Sequence, residues 1–268
     1  MSSHTIKTPL NTFGDEVFAN WSKSPGETAV FFIHGFRGNA IKTWVEFPAY
    51  ITSDPRFRNC DFFFYGYDTL RQQIGYSAAA FYRFIDDIYK SNDTIYNESI
   101  GNALGQSRKK ITYSNIVIVA HSMGAVVTRF AILNAIKEKA VWVQQAKMVL
   151  FAPAHRGALV HKLWVDSLPP LINAIANVIN FTLVTISELD PKSDTLKDLL
   201  SKSEKYLNTT YEPCITAKEV VAASRDNIVK TLDFLNDPVP TPLQGNHTSV
   251  CKPRKGFEQP LNIVAKYI

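Results

Sequence analysis

Short apolar runs alternate along the chain with longer segments of helical periodicity. The apolar runs are nearly continuous rather than alternating, which is the pattern of parallel strands buried on both faces. An alternation of such strands with helices predicts an α/β fold with a mostly parallel central sheet flanked by helices. The predicted strands are 28–35, 61–68, 115–120, 146–154 and 219–224.

Apolar residues three and four positions apart predict the helices. These helices cover residues 74–90, 124–139 and 257–268. Ahead of the first buried strand, residues 5–10 and 16–21 are predicted to form an antiparallel hairpin at the sheet edge. No internal repeat or low-complexity linker interrupts the pattern, so we predict a single domain over residues 1–268.

One segment, residues 157–191, is too long and too apolar for a single connection. Its apolar residues between 171 and 179 form one stripe at helical spacing. Two interpretations stay open. The segment forms one or two helices packed on the core, or it belongs to a helical cap insertion near residues 157–205 whose apolar face, within 159–184, covers an active site.

The composition is that of a soluble globular protein, with 46% apolar and 20% charged residues. The net charge of +5 is modest, and the two basic clusters, 107–110 and 251–256, are predicted to be solvated surface. We therefore expect no nucleic-acid partner. Three widely spaced cysteines without a C-x-x-C pair argue against a disulfide framework or a zinc site and favour a reducing compartment. We expect neither metal nor cofactor.

The N-terminal residues lack the apolar core of a secretory signal, and no run reaches the roughly 18 apolar residues of a membrane span. The sequence thus predicts a cytoplasmic protein. Peripheral membrane contact through the apolar segment 159–184 is a hypothesis compatible with this location. The sequence carries no signal for the oligomeric state.

The chain places a polar residue, Ser122, directly between a predicted buried strand and a predicted helix. A strand that turns into a helix without spacer residues forces the intervening residue into a strained conformation and projects its side chain from the sheet. This arrangement is the nucleophile elbow, G-x-S-x-G, here written A-H-S-M-G. Ala120 and Gly124 supply the small residues that the close approach of strand and helix requires. We predict that Ser122 is a nucleophile; the alternative is a serine that caps the helix.

An activated serine needs a general base, and the base needs an orienting carboxylate. Only one of the six histidines, His247, lies downstream of the late strands, in a turn-rich stretch before the last helix. His34 and His121 follow strand ends and are expected to support the site. His155 and His161 precede the last strands and are disfavoured, and His4 is expected in a mobile terminus.

For the carboxylate, Asp226 follows the penultimate strand, where the chain leaves the carboxyl edge of the sheet. The alternative role for Asp226 is a helix N-cap. Three other acidic residues remain rivals for the orienting role: Asp233, expected on an exposed helix, Asp190 and Glu188.

A developing oxyanion needs hydrogen-bond donors. One expected donor is the backbone N–H of Met123, at the start of the elbow helix. The other is expected from the loop after the first buried strand, where Gly35 permits close approach to the serine and Phe36 turns its N–H inward.

With these residues in place, the chain resembles the α/β-hydrolase superfamily over nearly its whole length. Within it, the likeness is to lipase-like members related to GPI inositol-deacylase and serine-active-site-containing proteins. The resemblance rests on FIHGFRGN followed by Trp44, FYGYDT, IVAHSMGAVV, FAPAHRGA, SRDNIV and GNHTSVCKP. It implies an α/β-hydrolase fold with Ser122 as nucleophile, Asp226 as orienter and His247 as base. It also implies Phe36 and Met123 as oxyanion donors. Ala120 is the main departure, although lipase-like members also use Ala there.

Two hypotheses from different classes follow. The first is a serine ester hydrolase of the esterase or lipase type, acting through an acyl-enzyme on a small-molecule or lipid ester, with a hydrophobic acyl group. The second is a non-catalytic interaction or lipid-binding module that retains the hydrolase fold. A broken triad would favour the second hypothesis, whereas all three positions are filled here in the order Ser, Asp, His.

Overall fold

A computed structural model of the protein describes residues 3–14, 16–158, 187–229 and 233–268. Its described strands form one eight-stranded sheet in the order β1-β2-β4-β3-β5-β6-β7-β8. The strands are β1 (Thr8–Pro9), β2 (Val17–Asn20), β3 (Thr28–Ile33), β4 (Cys60–Tyr65), β5 (Asn115–His121), β6 (Ala146–Phe151), β7 (Glu219–Ala223) and β8 (Thr241–Leu243).

Strands β3 to β8 are mutually parallel, and β2 joins the sheet antiparallel to β4. The predicted edge hairpin is confirmed, because Thr8 pairs with Ala19 and Pro9 with Phe18 in antiparallel register. The predicted mostly parallel sheet is confirmed as well. Strand β8 was not predicted: it is three residues long, partly exposed and interrupted by Pro242, which the sheet tolerates at its edge.

The continuous apolar runs follow from burial on both faces of the sheet. In β3, Phe31 and Ile33 pack on one face while Val30 and Phe32 pack on the other. All four side chains are at most 1% exposed. Because successive strand residues point to opposite faces, a strand with a helical layer on each side needs apolar residues at every position.

Helices cover both faces. Besides a three-residue helix at Asn102–Leu104, the described α-helices are α1 (Phe47–Ser53), α2 (Ile74–Tyr96), α3 (Met123–Lys137), α4 (Asp194–Glu204), α5 (Glu212–Ile215) and α6 (Gln259–Ala265). Helices α2, α3 and α4 contribute to the core on one face, and α1 and α6 to the core on the other. The predicted helix 74–90 ends where α2 has a residue with non-helical dihedral angles, Ser91, and beyond this kink α2 continues to Tyr96. Helix α1 was not predicted, because seven residues are too few to show a period.

The predicted cap falls mostly outside the described residues, since the structure does not describe 159–186. Its apolar segment 159–184 and His161 therefore stay sequence predictions, as does the single domain over 1–268. Of the 157–205 range, the structure describes 157–158 and 187–205, which include helix α4. The Ser193 hydroxyl caps this helix by accepting from the Leu196 N–H at 3.2 Å. Among the described residues, no helix combines the length and apolarity needed to cross a membrane.

Two expectations about the amino end of the sheet were wrong. Arg108, from the cluster predicted as solvated surface, has a side chain only 7% exposed and pairs with the buried carboxylate of Asp61. His4, expected in a mobile terminus, is 1% exposed, and its Nε2 is 2.9 Å from the Cys60 carbonyl oxygen. In both cases a tertiary contact across the sheet edge, which local sequence does not encode, overrides local polarity.

Candidate active site

The bend at Ser122 has the backbone that the sequence predicts. Strand β5 ends at His121, helix α3 begins at Met123, and Ser122 between them has φ of 53° and ψ of −119°. A positive φ in a non-glycine residue costs on the order of 1–3 kcal/mol and persists only where surrounding contacts impose it. Here the Ser122 N–H donates to the Phe151 carbonyl at 3.0 Å, and its carbonyl accepts from Ala154 N–H at 3.2 Å. Neighbouring strand β6 thus holds the bend in place.

Two glycines allow the backbone to approach the bend. A Cβ at Gly35 would lie 2.7 Å from the Ser122 Cβ, and a Cβ at Gly124 would lie 2.6 Å from the carbonyl oxygens of Ile33 and His34. Neither position has room for a side chain. Ala120, by contrast, is a fully buried core residue whose methyl group the packing accommodates.

The predicted nucleophile, base and carboxylate form one hydrogen-bonded chain. His247 Nε2 lies 2.8 Å from Ser122 Oγ, and His247 Nδ1 lies 2.8 Å from Asp226 Oδ2. Because an ionised carboxylate can only accept, Nδ1 carries the ring proton and Nε2 accepts from the serine hydroxyl. The His247 and Asp226 side chains are 3% and 8% exposed. Burial strengthens both hydrogen bonds by excluding competing water.

Asp226 uses its two carboxylate oxygens for different contacts. Its Oδ1 accepts from the backbone N–H groups of Ile228 and Val229 at 2.8 and 2.9 Å and so closes a turn, but the described residues directly after it, 227–229, are not helical, so the alternative role of a helix N-cap is not shown. Its Oδ2 accepts from His247. Burial raises the pKa of Asp226, but the hydrogen bond and charge of His247 and the two backbone donors outweigh burial and lower the pKa overall. The carboxylate therefore stays ionised and is held in one orientation.

The rival acidic residues lie elsewhere. Asp233 is exposed, in a non-helical stretch, so its expected helical placement was wrong. Asp190 accepts from the Lys192 N–H in a local turn. Glu188 accepts from the Ile74 N–H at the start of α2. His155, disfavoured by its position in sequence, is buried with its ring against Phe234.

His121 connects the serine and histidine segments. Its Nε2 donates to the His247 carbonyl oxygen at 2.8 Å. Burial, with a smaller contribution from the nearby His247, lowers the pKa of His121 to about 3. The ring is consequently neutral at pH 7, and its one proton serves to hold the backbone of the residue that carries the base.

His34 organises the loop that carries the expected oxyanion donor. Its Nδ1 donates to the Gly35 carbonyl at 2.8 Å, and its Nε2 accepts from the Tyr67 N–H at 3.3 Å. Burial lowers the pKa of His34 to about 4, so this neutral tautomer persists at pH 7. The Tyr67 hydroxyl in turn donates to the His34 carbonyl at 2.9 Å. Tyr67 belongs to the FYGYDT motif, but the sequence alone indicated no role for its hydroxyl.

The two expected oxyanion donors lie next to residues of the bend, Met123 after Ser122 in the chain and Phe36 after Gly35, whose Cα closely approaches Ser122. Met123 is the first residue of α3, where backbone N–H groups have no acceptor inside the helix. Phe36 follows Gly35 in the loop after β3 and is 8% exposed. The positive end of the α3 dipole lies at the same place, which favours negative charge beside Ser122. Among the described residues, no cluster of histidine, cysteine or carboxylate side chains could hold a metal ion.

Comparison with known proteins supports the fold. No protein-family model and no curated protein sequence matches the chain. The mature form of a Bacillus licheniformis lipase superposes with a TM-score of 0.60 at 13% identity, covering 94% of this chain and 98% of that one. A peroxisomal α/β-hydrolase of Saccharomyces cerevisiae gives 0.51 at 9% identity, covering 94% and 78%. At such identities the likeness concerns the fold alone. The protein has the α/β-hydrolase fold.

Proposed function

We propose that the protein is a serine ester hydrolase of the esterase or lipase type that uses Ser122, His247 and Asp226 as its catalytic triad. The observation that carries the proposal is the unbroken hydrogen-bonded chain from Asp226 Oδ2 through the His247 ring to Ser122 Oγ, with both distances at 2.8 Å. A serine that only capped α3 would have no need of a buried imidazole at its hydroxyl.

The reaction proceeds in two halves. Ser122 Oγ attacks the ester carbonyl carbon while His247 Nε2 takes the hydroxyl proton, and His247 then returns that proton to the departing alcohol. Water activated by the same nitrogen attacks the acyl-enzyme and releases the acid. Asp226 stays ionised throughout, stabilises the imidazolium and holds the tautomer that leaves Nε2 free to accept.

The backbone N–H groups of Phe36 and Met123 receive the negative charge that develops on the carbonyl oxygen. Loss of one such donor costs roughly 3–4 kcal/mol of transition-state stabilisation. His34 and Gly35 fix the first donor by holding the loop after β3, and the elbow fixes the second. Preorganised backbone donors need no rearrangement during the reaction, which is the source of their effect.

The substrate is proposed to be a small-molecule or lipid ester with a hydrophobic acyl group. This preference comes from the apolar segment 159–184, which lies outside the described residues. An acyl-chain-length series on the purified protein tests it: kcat/KM should rise with chain length from acetyl to octanoyl. A maximum at acetyl would contradict the hydrophobic preference while leaving the triad in place.

Replacement of the nucleophile tests the proposal itself. Ser122→Ala should lower kcat for para-nitrophenyl ester hydrolysis by about 10⁶-fold, since triad members act as a unit. Ser201→Ala, at an exposed serine of helix α4, is the matched control and should leave kcat unchanged. Equal activity of the Ser122→Ala variant and the wild type would overturn the assignment, and a wild type without any esterase activity would favour a non-catalytic module.

A further inference from the structure

A cavity of about 280 Å³ adjoins the proposed active site. Its lining includes Gly35 and Phe36 from the loop after β3, His121 next to Ser122, and Thr248 next to His247. The cavity is thus lined by residues next to the proposed nucleophile and the proposed base, and by the loop of the expected oxyanion donor. A group bound in this cavity would lie beside the reacting ester rather than at a remote surface.

The charged side chains that line this cavity in the described residues are all positive. Arg37, Lys42 and Lys252 contribute to its lining, and none of its lining residues that the structure describes is acidic. The one titratable group among them besides the three cations, His121, is neutral because burial lowers its pKa to about 3. Nothing in the described wall thus offsets the positive charge.

Two of these cations form no ion pair with any carboxylate that the structure describes. Within the described ranges, no carboxylate lies within ion-pair distance of the Lys42 or Lys252 ammonium group. Lysines elsewhere that do have such partners are Lys90, Lys197, Lys202 and Lys266. Among the residues that the structure describes, no ion pair has to break before the two ammonium groups at the cavity bind an anion.

Lys252 lies at a partly buried position of the chain, and its backbone is held in place. The residue is half-buried and follows the fully buried Cys251 in the chain. The backbone N–H of Lys252 donates to the Ser249 carbonyl at 3.1 Å. The charge of Lys252 acts directly on the neighbouring ring, because it contributes to the lowered pKa of His121.

Asn39 adds an amide donor to the lining of the cavity. Asn39 Oδ1 accepts from the backbone N–H groups of Ile41 and Lys42 at 3.0 and 3.1 Å. With its oxygen engaged, the remaining polar group of the Asn39 side chain is the NH₂, which can only donate. Ammonium and amide donors together match the oxygen atoms of an anion.

We propose that this cavity is an anion subsite, in which Lys252 and Lys42 bind a carboxylate or phosphate group carried by the ester substrate. The inference rests on the proposed ester hydrolysis and narrows its substrate class to anionic esters. This anion subsite is compatible with a preference for a hydrophobic acyl chain, because an amphiphilic ester carries both an anionic group and an apolar chain. Lysine acts as a point charge without the bidentate geometry of arginine, so both anions fit the same subsite.

Three pairs of esters test the subsite and locate the anion. Mono-para-nitrophenyl adipate and its methyl ester differ by a charge on the acyl side. Acetoxybenzoate and acetoxybenzamide differ on the alcohol side. A monoacylglycerol phosphate and the corresponding monoacylglycerol differ by a phosphate. In at least one pair the charged member should have a kcat/KM about tenfold higher or more, the range of a single charge-assisted contact.

Variants then connect this preference to the cavity. Lys252→Met should remove about tenfold of kcat/KM for the favoured anionic ester, by loss of a charged hydrogen bond, and change the neutral partner by less than about twofold. Lys252→Arg, which retains the charge, should retain most of the preference. Lys255→Met is the matched control, since Lys255 is exposed on the same segment and does not line the cavity.

The outcomes separate the two proposals. Equal kcat/KM for charged and neutral members in all three pairs, with hydrolysis still dependent on Ser122, would overturn the subsite alone. A Lys252→Met variant that loses activity equally on both members of a pair would also overturn it. Absence of Ser122-dependent hydrolysis of every ester would overturn the proposed function, and the subsite with it.

Discussion

Two buried clusters at opposite ends of the sheet are built from similar parts. At the carboxyl ends of the parallel strands, Asp226 contacts His247, which contacts the Ser122 hydroxyl. At the amino ends, Asp61 contacts Arg108 and the Tyr113 hydroxyl. Each cluster contains a buried carboxylate, a nitrogen group that donates a hydrogen bond to it, and a hydroxyl.

The clusters differ in whether a proton can move. Arg108 keeps its proton at any ordinary pH. Tyr113 also keeps its hydroxyl proton, because burial raises the pKa of the hydroxyl well above its usual value. Asp61 further accepts from the Ser22 N–H at 2.8 Å, so its lone pairs face fixed donors. The amino-end cluster is therefore suited to joining strands, whereas an imidazole between a carboxylate and a hydroxyl can take up and return a proton.

The largest expected effect separates catalysis from stability. Asp226→Asn should lower kcat by about 10⁴-fold, because the amide no longer selects the Nδ1–H tautomer of His247. Steady-state ester hydrolysis measures it, with circular dichroism to verify folding. A loss of activity that only parallels a loss of folded protein would show that Asp226 acts as the turn cap alone.

The corresponding change at the other end should affect folding instead. Asp61→Asn leaves the side chain of Arg108 buried with a neutral partner, and removing one member of a buried ion pair costs about 3–5 kcal/mol of unfolding free energy. Urea denaturation measures the loss. The kcat per folded molecule should match the wild type, and a selective drop in kcat without destabilisation would erase the distinction between the clusters.

Acid should destabilise the active-site end through its buried neutral histidines. The folded-state pKa of His121 is about 3, so the unfolded state, with a pKa near 6.5, binds more protons between these values. Stability is therefore full above about pH 6.5 and falls as pH drops, by about 2 kcal/mol from pH 6.5 to pH 5 for this residue. His121→Gln should remove that share of the pH dependence in denaturation curves; an unchanged slope would contradict the burial of a neutral ring.

The smallest effect concerns strain at the elbow. Ser122→Gly should be about 1 kcal/mol more stable than Ser122→Ala, since glycine adopts a φ of 53° without steric cost. Ser201 in helix α4 provides the control of opposite sign, because glycine there is about 1 kcal/mol less stable than alanine. Thermal melts of the four variants measure both differences, and the same sign at both positions would mean that Ser122 is unstrained.

The features that the sequence predicted best are those encoded by residues adjacent in the chain. The strand, the small residues and the helix around Ser122 are contiguous, so the bend follows from their order. His247 and Asp226 were predicted from the order in which the nucleophile, the carboxylate and the base follow one another along the chain in this fold. The structure places the His247 ring between Asp226 and Ser122, in hydrogen-bond contact with both. Their catalytic roles remain the proposal.

Features that depend on distant contacts were missed. The Arg108 guanidinium finds its partner 47 positions away, so the local charge pattern of 107–110 predicted exposure. The cavity charge at Lys42 and Lys252 likewise arises from two loops far apart in sequence. Asp226 shows a third kind of limit: a contact to the following backbone and a contact to the base were treated as alternatives, whereas its two carboxylate oxygens make the two contacts separately.

Labelling with a fluorophosphonate probe tests the central claim most directly. We expect one covalent adduct on the wild-type protein, located by peptide mass spectrometry on Ser122, and none on Ser122→Ala under the same conditions. An adduct on a different residue, or a folded wild-type protein that the probe leaves unmodified, would contradict an activated serine at the elbow.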